Sequence, residues 1–370
     1  MAADSSSREA FDFLVGRDDL GRCEFRSVTS AEDVALEPEQ ALLTVDAFGF
    51  TANNITYAVF GDAMRYWSFF PAPAGWGRVP VWGFATVSRS AHSGLVAGER
   101  FYGYLPMSSY LIVQAGDVNK SGFTDLASHR SEVDPFYNRY LATAADPGYD
   151  CEREAEQMIL RPLFFTGFLI VDFLADNGFF EARSVIVSSA SSKTSIGLAF
   201  NLFAREPARC EVIGLTSRRN VAFVESLGCY HRVVAYDDLG SIPATTASVF
   251  VDMAGDAELT TAIHSRLGSA LKYNCQVGAT HWDRLSFSLE LPGPQPVLFW
   301  APGRVAKRMQ DWGSEGFQVR TAQAWKSFLP LVDRWMTVER SSGKAALERV
   351  YLDTLRGKAD PRKGYVVAPG

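Results

Sequence analysis

At about residue 152 the texture of the chain changes, and the change leaves few folds open. Beyond it, stretches with helical patterning alternate with short β-branched runs at close spacing. Helix-like text spans 152–174, 196–205 and 220–227, and strand-like runs fall at 184–188 (SVIVS), 210–215 (CEVIGL), 231–235 and 247–252 (ASVFVD). Strand–helix–strand alternation with such short crossovers predicts a parallel, doubly wound sheet with helices on both faces. A sheet of that kind binds its ligand at the carboxyl ends of the strands.

Upstream, between residues 11 and 114, short apolar runs are cut by Gly, Pro, Asn and Asp: ALLTVDAFGFT, RVPVWGFATVSRS, GERFYGYLP and SSYLIVQAGDV. Period-two segments at this spacing predict a compact antiparallel β domain. The polar stretch 119–150, with Asp134-Pro135 and Asp146-Pro147-Gly148, carries turns and marks a boundary. Past residue 278 the text is irregular and Pro-rich. Helix-like stretches at 305–312 and 322–338 follow, then a further helix and a last strand at 364–367. The expected class is α/β, with a β-rich unit from 1–150 and 306–370 and an inserted doubly wound unit at 151–305. A chain of 370 residues suits two domains, and two domains imply a cleft.

Charge narrows the partners. Lys and Arg number 36 against 42 Asp and Glu, a formal charge of −6, so neither nucleic acid nor an anionic membrane is expected to bind. With 47% hydrophobic residues the chain has enough apolar surface to fold without metal or disulfides. The five cysteines (Cys23, Cys151, Cys210, Cys229, Cys275) are odd in number and scattered, so they make neither a disulfide ladder nor a Cys-x-x-Cys clamp. A cytoplasmic location fits that usage. The opening MAADSSSREAFDF lacks the basic start and apolar core of a signal peptide. The most apolar stretch, 163–174, is interrupted by Thr166, Gly167 and Asp172 and reads as a buried helix rather than a span.

The segment SVIVSSASSKTSIGLAFNLFA, 184–204, passes from strand through a small-residue loop into a helix. A strand-to-helix turn aims backbone N–H groups and the positive end of a helix dipole at an anion, and small side chains let a pyrophosphate approach. Ser188, Ser189, Ser191, Ser192, Thr194 and Ser195 add hydroxyl donors, Lys193 adds a cation, and Gly197 is expected to let the helix pack closely on the strand. The alternative is an N-capped helix after a buried strand, because serines stand where a Gly-x-Gly-x-x-Gly loop has glycines. After the second strand comes Gly214-Leu215-Thr216-Ser217-Arg218-Arg219-Asn220. NAD-binding sheets place an acid there for the ribose hydroxyls. Here Thr216, Ser217, Arg218 and Arg219 stand instead, and hydroxyls with guanidinium groups suit the 2′-phosphate of NADP. The alternative is a pair of arginines that solvate a helix start, against the sign of its dipole.

With these segments in order, the chain resembles the medium-chain dehydrogenase/reductase superfamily, on its quinone oxidoreductase and enoyl reductase side. VWGFATVSRSAHSGLVAGERFYGYLP, with Gly98-Glu99-Arg100, is similar to a stretch of that family's GroES-like β domain. RPLFFTGFLIVDFL resembles its helix over the nicotinamide, with Thr166-Gly167 in place of Thr-Ala. VFVDMAGDAEL, containing Gly255, resembles the turn near the nicotinamide ribose, and YNCQVGATHW, containing Gly278 and His281, the next strand and loop. The terminal GKAALERVYLDTLRGKADPRKGYVV is similar to the returning helix and last strand. The resemblance implies a GroES-like substrate domain, a Rossmann cofactor domain, bound NADP and a homodimer. No cysteine or histidine stands at the family's early zinc position, and no four-cysteine loop exists, so zinc-free chemistry is expected. Thr51 to Asn54 (TANN) replaces the usual Asn-x-x-Asp.

Reduction of a conjugated C=C or a carbonyl without zinc needs a hydride donor, a dry pocket and a hydrogen-bond donor for the developing oxyanion. Tyr57, Phe60, Tyr66, Trp67, Phe69, Phe70, Trp76 and Trp82 crowd the β domain and either wall an apolar cleft or form its core. As a set they point to a small hydrophobic or aromatic substrate. Tyr57 or Tyr66 is the expected proton donor, Asn54 a second donor to a carbonyl oxygen, and His281 a loop residue that could reach nicotinamide or substrate. An NADP-binding sensor without turnover, and a lyase or isomerase using the same cleft, are the alternatives.

Overall fold

The computed structural model describes residues 9–205, 210–277 and 291–370. They form two compact units, Met1–Ile159 with Thr337–Gly370, and Leu160–Met336. The first leg of the chain supplies β1 (Phe11–Gly16), β2 (Cys23–Ser27), β3 (Gln40–Phe50), α1 (Ala52–Val59), β4 (Trp76–Gly77), β5 (Pro80–Ser90), β6 (Arg100–Pro106), β7 (Tyr110–Asn119), β8 (Gly122–Asp125) and β9 (Arg139–Ala142). Helix α2 (Glu154–Asp176) leads onward. The second unit then holds β10 (Ser184–Val187), α3 (Lys193–Arg205), β11 (Glu211–Thr216), α4 (Val221–Ser226), β12 (Arg232–Ala235), β13 (Ser248–Asp252), α5 (Ala257–Leu267), β14 (Leu271–Gln276), β15 (Val297–Leu298) and α6 (Ala301–Val332). Strand β16 (Thr337–Ser342), α7 (Lys344–Leu355) and β17 (Lys363–Ala368) return to the first unit.

In the first unit β1 pairs antiparallel with β2 and β4. The larger sheet runs β16-β17-β3-β5-β6-β9-β8-β7, and β7 pairs back onto Gln40–Thr44 of β3. That last pairing closes a barrel and removes an open edge. Strand β3 serves both neighbours because it is long: its first half pairs with β7, while Phe48–Phe50 pairs with β17. The interior is aromatic, with Phe123 and Tyr140 stacked at 4.9 Å. It also buries the Arg130–Asp125 ion pair at 3.0 Å, with the Arg130 guanidinium 4.9 Å from the Phe70 ring centroid. The compact antiparallel β domain expected from the period-two runs is observed.

The second unit is the doubly wound sheet. Its strands are parallel in the order β12-β11-β10-β13-β14-β15, which in order of appearance within the unit is 3-2-1-4-5-6. Both central strands, β10 and β13, are buried along their whole length, as parallel strands covered on two faces must be. Ile186, Ile213 and Phe250 pack with Leu259, Ile263 and Leu267 of α5. Helices α2 and α3 cross so closely that a Cβ on Gly167 would lie 2.6 Å from Leu198 N, and one on Gly197 3.1 Å from Phe164 Cα. Gly197 therefore serves helix-on-helix packing, not the helix-on-strand packing expected of it. The amino-terminal part of α6 is pinned to α2 by Asp172 and Asp176, which bind Arg304 and Arg308 at 2.5–2.7 Å, with Asp172 and both arginines buried.

Several boundaries differ from the sequence reading. Residues 306–336 fall in the second unit rather than the first. The reason is packing: Phe328 stacks on Phe164 at 4.8 Å, and Trp325 is 5.6 Å from the same ring. The stretches 305–312 and 322–338 belong to one element, α6, broken internally at Gly313 (φ 72°), and residues 337 and 338 begin β16 instead of ending a helix. Helices α1 and α5 were not anticipated, and α3 begins at Lys193, three residues before the expected start. The stretch Cys151–Asp176 is long and apolar enough to cross a membrane by length and composition, but 72% of its most apolar window is buried within the protein.

Candidate functional site

The chemistry-bearing turn of the second unit sits at the carboxyl end of β10, beside β13, where the strand order reverses. Ser188, wholly buried, donates its hydroxyl to Asp252 Oδ1 (2.7 Å) and accepts from the N–H groups of Met253 (2.8 Å) and Ala254 (3.0 Å). It is a brace between strands, with its lone pairs and proton already committed. Asp252 also accepts from Gly255 N (3.1 Å) and Thr260 Oγ1 (3.1 Å), and burial holds its carboxyl above the ordinary range. Gly255, at φ 65°, lets the chain turn into the Asp256 cap of α5.

Ser189 takes the left-handed conformation (φ 49°), which a glycine would adopt without strain, and its N–H donates to the Tyr236 hydroxyl at 2.9 Å. Ser192 caps α3: its Oγ accepts from Ser195 N at 3.2 Å and donates to Ser195 Oγ at 2.9 Å. Ser195 in turn donates to the Ser188 carbonyl (3.0 Å). The N-capped-helix reading therefore describes Ser188, Ser192 and Ser195 well. Lys193 and Thr194 form the first turn of α3, with the Lys193 ammonium 6.0 Å from the Trp335 ring centroid. Ser191 points the other way and accepts from Thr216 Oγ1 (3.4 Å) and Asn220 Nδ2 (3.1 Å), tying the serine turn to the turn after β11.

At that second turn the Ser217 hydroxyl oxygen is buried and has no hydrogen-bond partner among the described residues. Arg219 is exposed. Arg218, expected to be available to a phosphate, is instead held by Asp237: Nε to Oδ2 at 2.8 Å and Nη2 to Oδ1 at 2.7 Å. The guanidinium lowers the Asp237 carboxyl below its ordinary value. Both side chains are largely exposed, 70% and 61%, so the pair adds little to stability. Sequence inspection missed Asp237 and Tyr236 because they follow β12. The parallel pairing of Thr216 with Ala235 brings their turn beside that of Arg218. Thr166 donates to the Pro162 carbonyl of its own helix (3.1 Å). Gly278 and His281 lie outside the described residues.

In the first unit Tyr57 and Tyr66 are buried together, ring centroids 4.6 Å apart. Tyr104 and Tyr137 join them, 4.9 Å from each other, with Trp82 5.0 Å from Tyr104. Tyr104 and Tyr137 were not anticipated, although the alternation in RFYGYLP places Tyr102 and Tyr104 on one face of β6. Tyr57 Oη accepts from Trp82 Nε1 at 3.4 Å, and the Tyr104 hydroxyl is buried. Burial pushes the phenols of Tyr57, Tyr66, Tyr104 and Tyr137 up, so all four stay protonated and can donate. Asn54 commits its oxygen and one amide N–H to local structure. Its Oδ1 accepts from Thr51 N (2.8 Å) in the capping box of α1, and its Nδ2 donates to the Pro80 carbonyl (2.9 Å). Trp67, Phe69 and Phe70 are buried core, whereas Trp82 and Tyr137 are partly open.

The family model described as "Protein of unknown function (DUF2855)" matches residues 48–360, spanning both units. The chain belongs to the DUF2855 family. No curated protein matches this DUF2855 chain in sequence. Among solved structures it is similar to CurA from Vibrio vulnificus in complex with NADPH, at 12% identity over 98% of this chain and 99% of that one, TM-score 0.63. It is similar to the yhdH oxidoreductase from Salmonella enterica in complex with NADP, at 14% identity over 97% and 100%, TM-score 0.55. A mutant form of enoyl thioester reductase from Candida tropicalis aligns at 11% identity over 97% and 99%, TM-score 0.57. At these identities the likeness is one of fold, and it covers the β-rich unit and the parallel-sheet unit of this DUF2855 chain alike.

Proposed function

We propose that this chain is an NADPH-dependent oxidoreductase of the medium-chain dehydrogenase/reductase type, reducing an activated C=C or C=O bond of a hydrophobic or aromatic substrate without zinc. The observation that carries the reading is the serine turn at the strand-order reversal, tied through Ser191 to a turn bearing a buried, unpartnered Ser217 hydroxyl and two arginines. A buried hydroxyl without a partner costs free energy, and a ligand oxygen would relieve that cost. CurA and the yhdH oxidoreductase, solved with NADPH and NADP, share the fold.

The residues fit such a cofactor in part. The first turn of α3, with Lys193 and Thr194, offers N–H groups and positive dipole to a pyrophosphate, and Ser217 with Arg219 offers donors to a 2′-phosphate. The Ser189 N–H and Arg218 are engaged within the protein and would have to exchange partners. NADPH, when bound, supplies a hydride. The chain's own contribution to the reaction is the phenol pair Tyr57 and Tyr66. Each keeps its proton, and either can hydrogen-bond an oxygen that gains negative charge and then hand over that proton. The hydrogen bond from Trp82 occupies a Tyr57 lone pair and leaves its O–H to donate.

The test is oxidation of NADPH with a panel of enones, quinones and aldehydes, following calorimetric measurement of NADPH affinity. Substrate-dependent oxidation is expected, with kcat lower by about 10²-fold or more when the acting tyrosine is replaced, in Tyr57→Phe or Tyr66→Phe. Binding without oxidation would favour the sensor alternative, and absence of binding would end the oxidoreductase reading.

A further inference from the structure

The geometry points to Asp237 as a residue that sets nucleotide specificity: its carboxylate competes with a ribose 2′-phosphate for Arg218, so that the chain accepts NADH as well as NADPH. The inference rests on the nucleotide site proposed above and concerns which nucleotide that site prefers.

The argument begins with register. Thr216 at the end of β11 pairs with Ala235 at the end of β12, so the residues that follow, Ser217–Arg218 and Tyr236–Asp237, emerge side by side at the carboxyl edge of the sheet. An acid that takes ribose hydroxyls ordinarily follows the second strand of such a sheet. This chain carries arginines at that position and presents the acid from the third strand, 19 residues later. Asp237 grips Arg218 through Nε and Nη2, the edge of the guanidinium that would otherwise grasp two phosphate oxygens. One edge cannot serve both anions. A 2′-phosphate must therefore displace the carboxylate or bind beside it, and in the second case it meets a guanidinium whose charge Asp237 already offsets.

The exchange is easy to make in either direction. The pair is exposed on both sides, so opening it costs little, and Arg218 can turn without repacking a core. The turn itself stays fixed, because Thr216 and Asn220 both donate to Ser191. Arg219, exposed and in no ion pair among the described residues, remains for the phosphate whichever partner Arg218 takes. With NADH there is no 2′-phosphate, Arg218 stays with Asp237, and the carboxylate has lone pairs left for a ribose hydroxyl. The unpartnered Ser217 hydroxyl at the same turn is the independent sign that a ligand belongs there.

Calorimetric titration of the full chain with NADPH, NADH and adenosine 2′,5′-bisphosphate tests this, on the wild type, Asp237→Asn and Arg218→Gln. Both side chains are exposed, so both variants are expected to fold. Asp237→Asn should tighten NADPH and the bisphosphate about tenfold, the scale of one charge-assisted contact, and leave NADH equal or weaker. Arg218→Gln should move the preference toward NADH. If the NADPH-to-NADH affinity ratio of Asp237→Asn stays within about twofold of wild type, or NADPH loosens, Asp237 is not a competitor and the inference falls while the nucleotide site stands. If none of the three ligands binds the wild type, the cofactor reading fails and takes the inference with it.

Discussion

Replacing Gly167 by alanine should destabilise the second unit, against the ordinary rule for helices. In the interior of an exposed helix, Gly→Ala gains about 1 kcal/mol because glycine loses more backbone freedom on folding. Here the added Cβ would lie 2.6 Å from Leu198 N, 2.9 Å from Leu198 Cα and 3.0 Å from Gly197 C. All three are backbone atoms of α3, so no rotamer change removes the clash. The helices must separate by most of an ångström, loosening the Phe164–Phe328 stack that lies against the same crossing. Overpacking of this kind costs about 1–3 kcal/mol, and more where backbone must move. Because the clash is with backbone, the cost falls in the upper half of that range, about 2–3 kcal/mol, and after the propensity gain a net loss of about 1–2 kcal/mol remains. Native-state hydrogen exchange is the suitable assay, because amides of the first unit serve as an internal reference. Protection of β10 and α3 amides should fall about five- to thirtyfold. Unchanged or improved protection would refute the claim that glycine is required there for close approach.

Two further outcomes follow from buried polar groups. Arg304→Met leaves Asp172 and Asp176 short of a partner in a buried network and should cost about 3–5 kcal/mol in urea denaturation, much of it recovered when Asp172→Leu is added; a cost below 1 kcal/mol would mean that Arg308 alone satisfies both acids. Burial raises the Tyr104 and Tyr137 phenols well above the ordinary value of 10.0, so the stability they confer is fully present below about pH 10 and is lost as pH rises toward their folded values. Tyrosinate absorbance from these residues should then appear only together with loss of the near-ultraviolet circular dichroism, and ionisation at an ordinary midpoint in the native state would contradict the burial argument.

Strands β10, β11 and β13 of the second unit were legible because each is a short, largely apolar run, the pattern that burial on both faces demands. Helix α5 was also within reach: Asp256 at its cap and Leu259, Ile263 and Leu267 at four-residue spacing are a helix signature, obscured because the segment was matched to a family turn. Helix α1 is shorter and has no apolar stripe long enough to stand out between strands. The assignment of α6 to a unit was not legible. Its apolar residues show that one side is buried, but nothing local says that Trp325 and Phe328 meet Phe164, more than a hundred and fifty residues earlier.

The site shows the same division more sharply. Asn54 could have been placed from sequence, since Thr51 and Asn54 at three-residue spacing are the two ends of a capping box, and a capping asparagine has its oxygen committed before any ligand arrives. Arg218 could not. Its residue type and its position after the second strand both favour phosphate, and a reading confined to that loop finds no acid. The acid comes from the adjacent parallel strand, in a register that only the folded sheet specifies. Parallel sheets bring together at one edge the turns that follow every strand, so the charge of such a site is the sum over neighbouring turns and not over the motif. For this chain that sum at Arg218, Arg219 and Asp237 is +1 rather than +2, and a dianionic 2′-phosphate meets a correspondingly smaller attraction than the motif alone would offer.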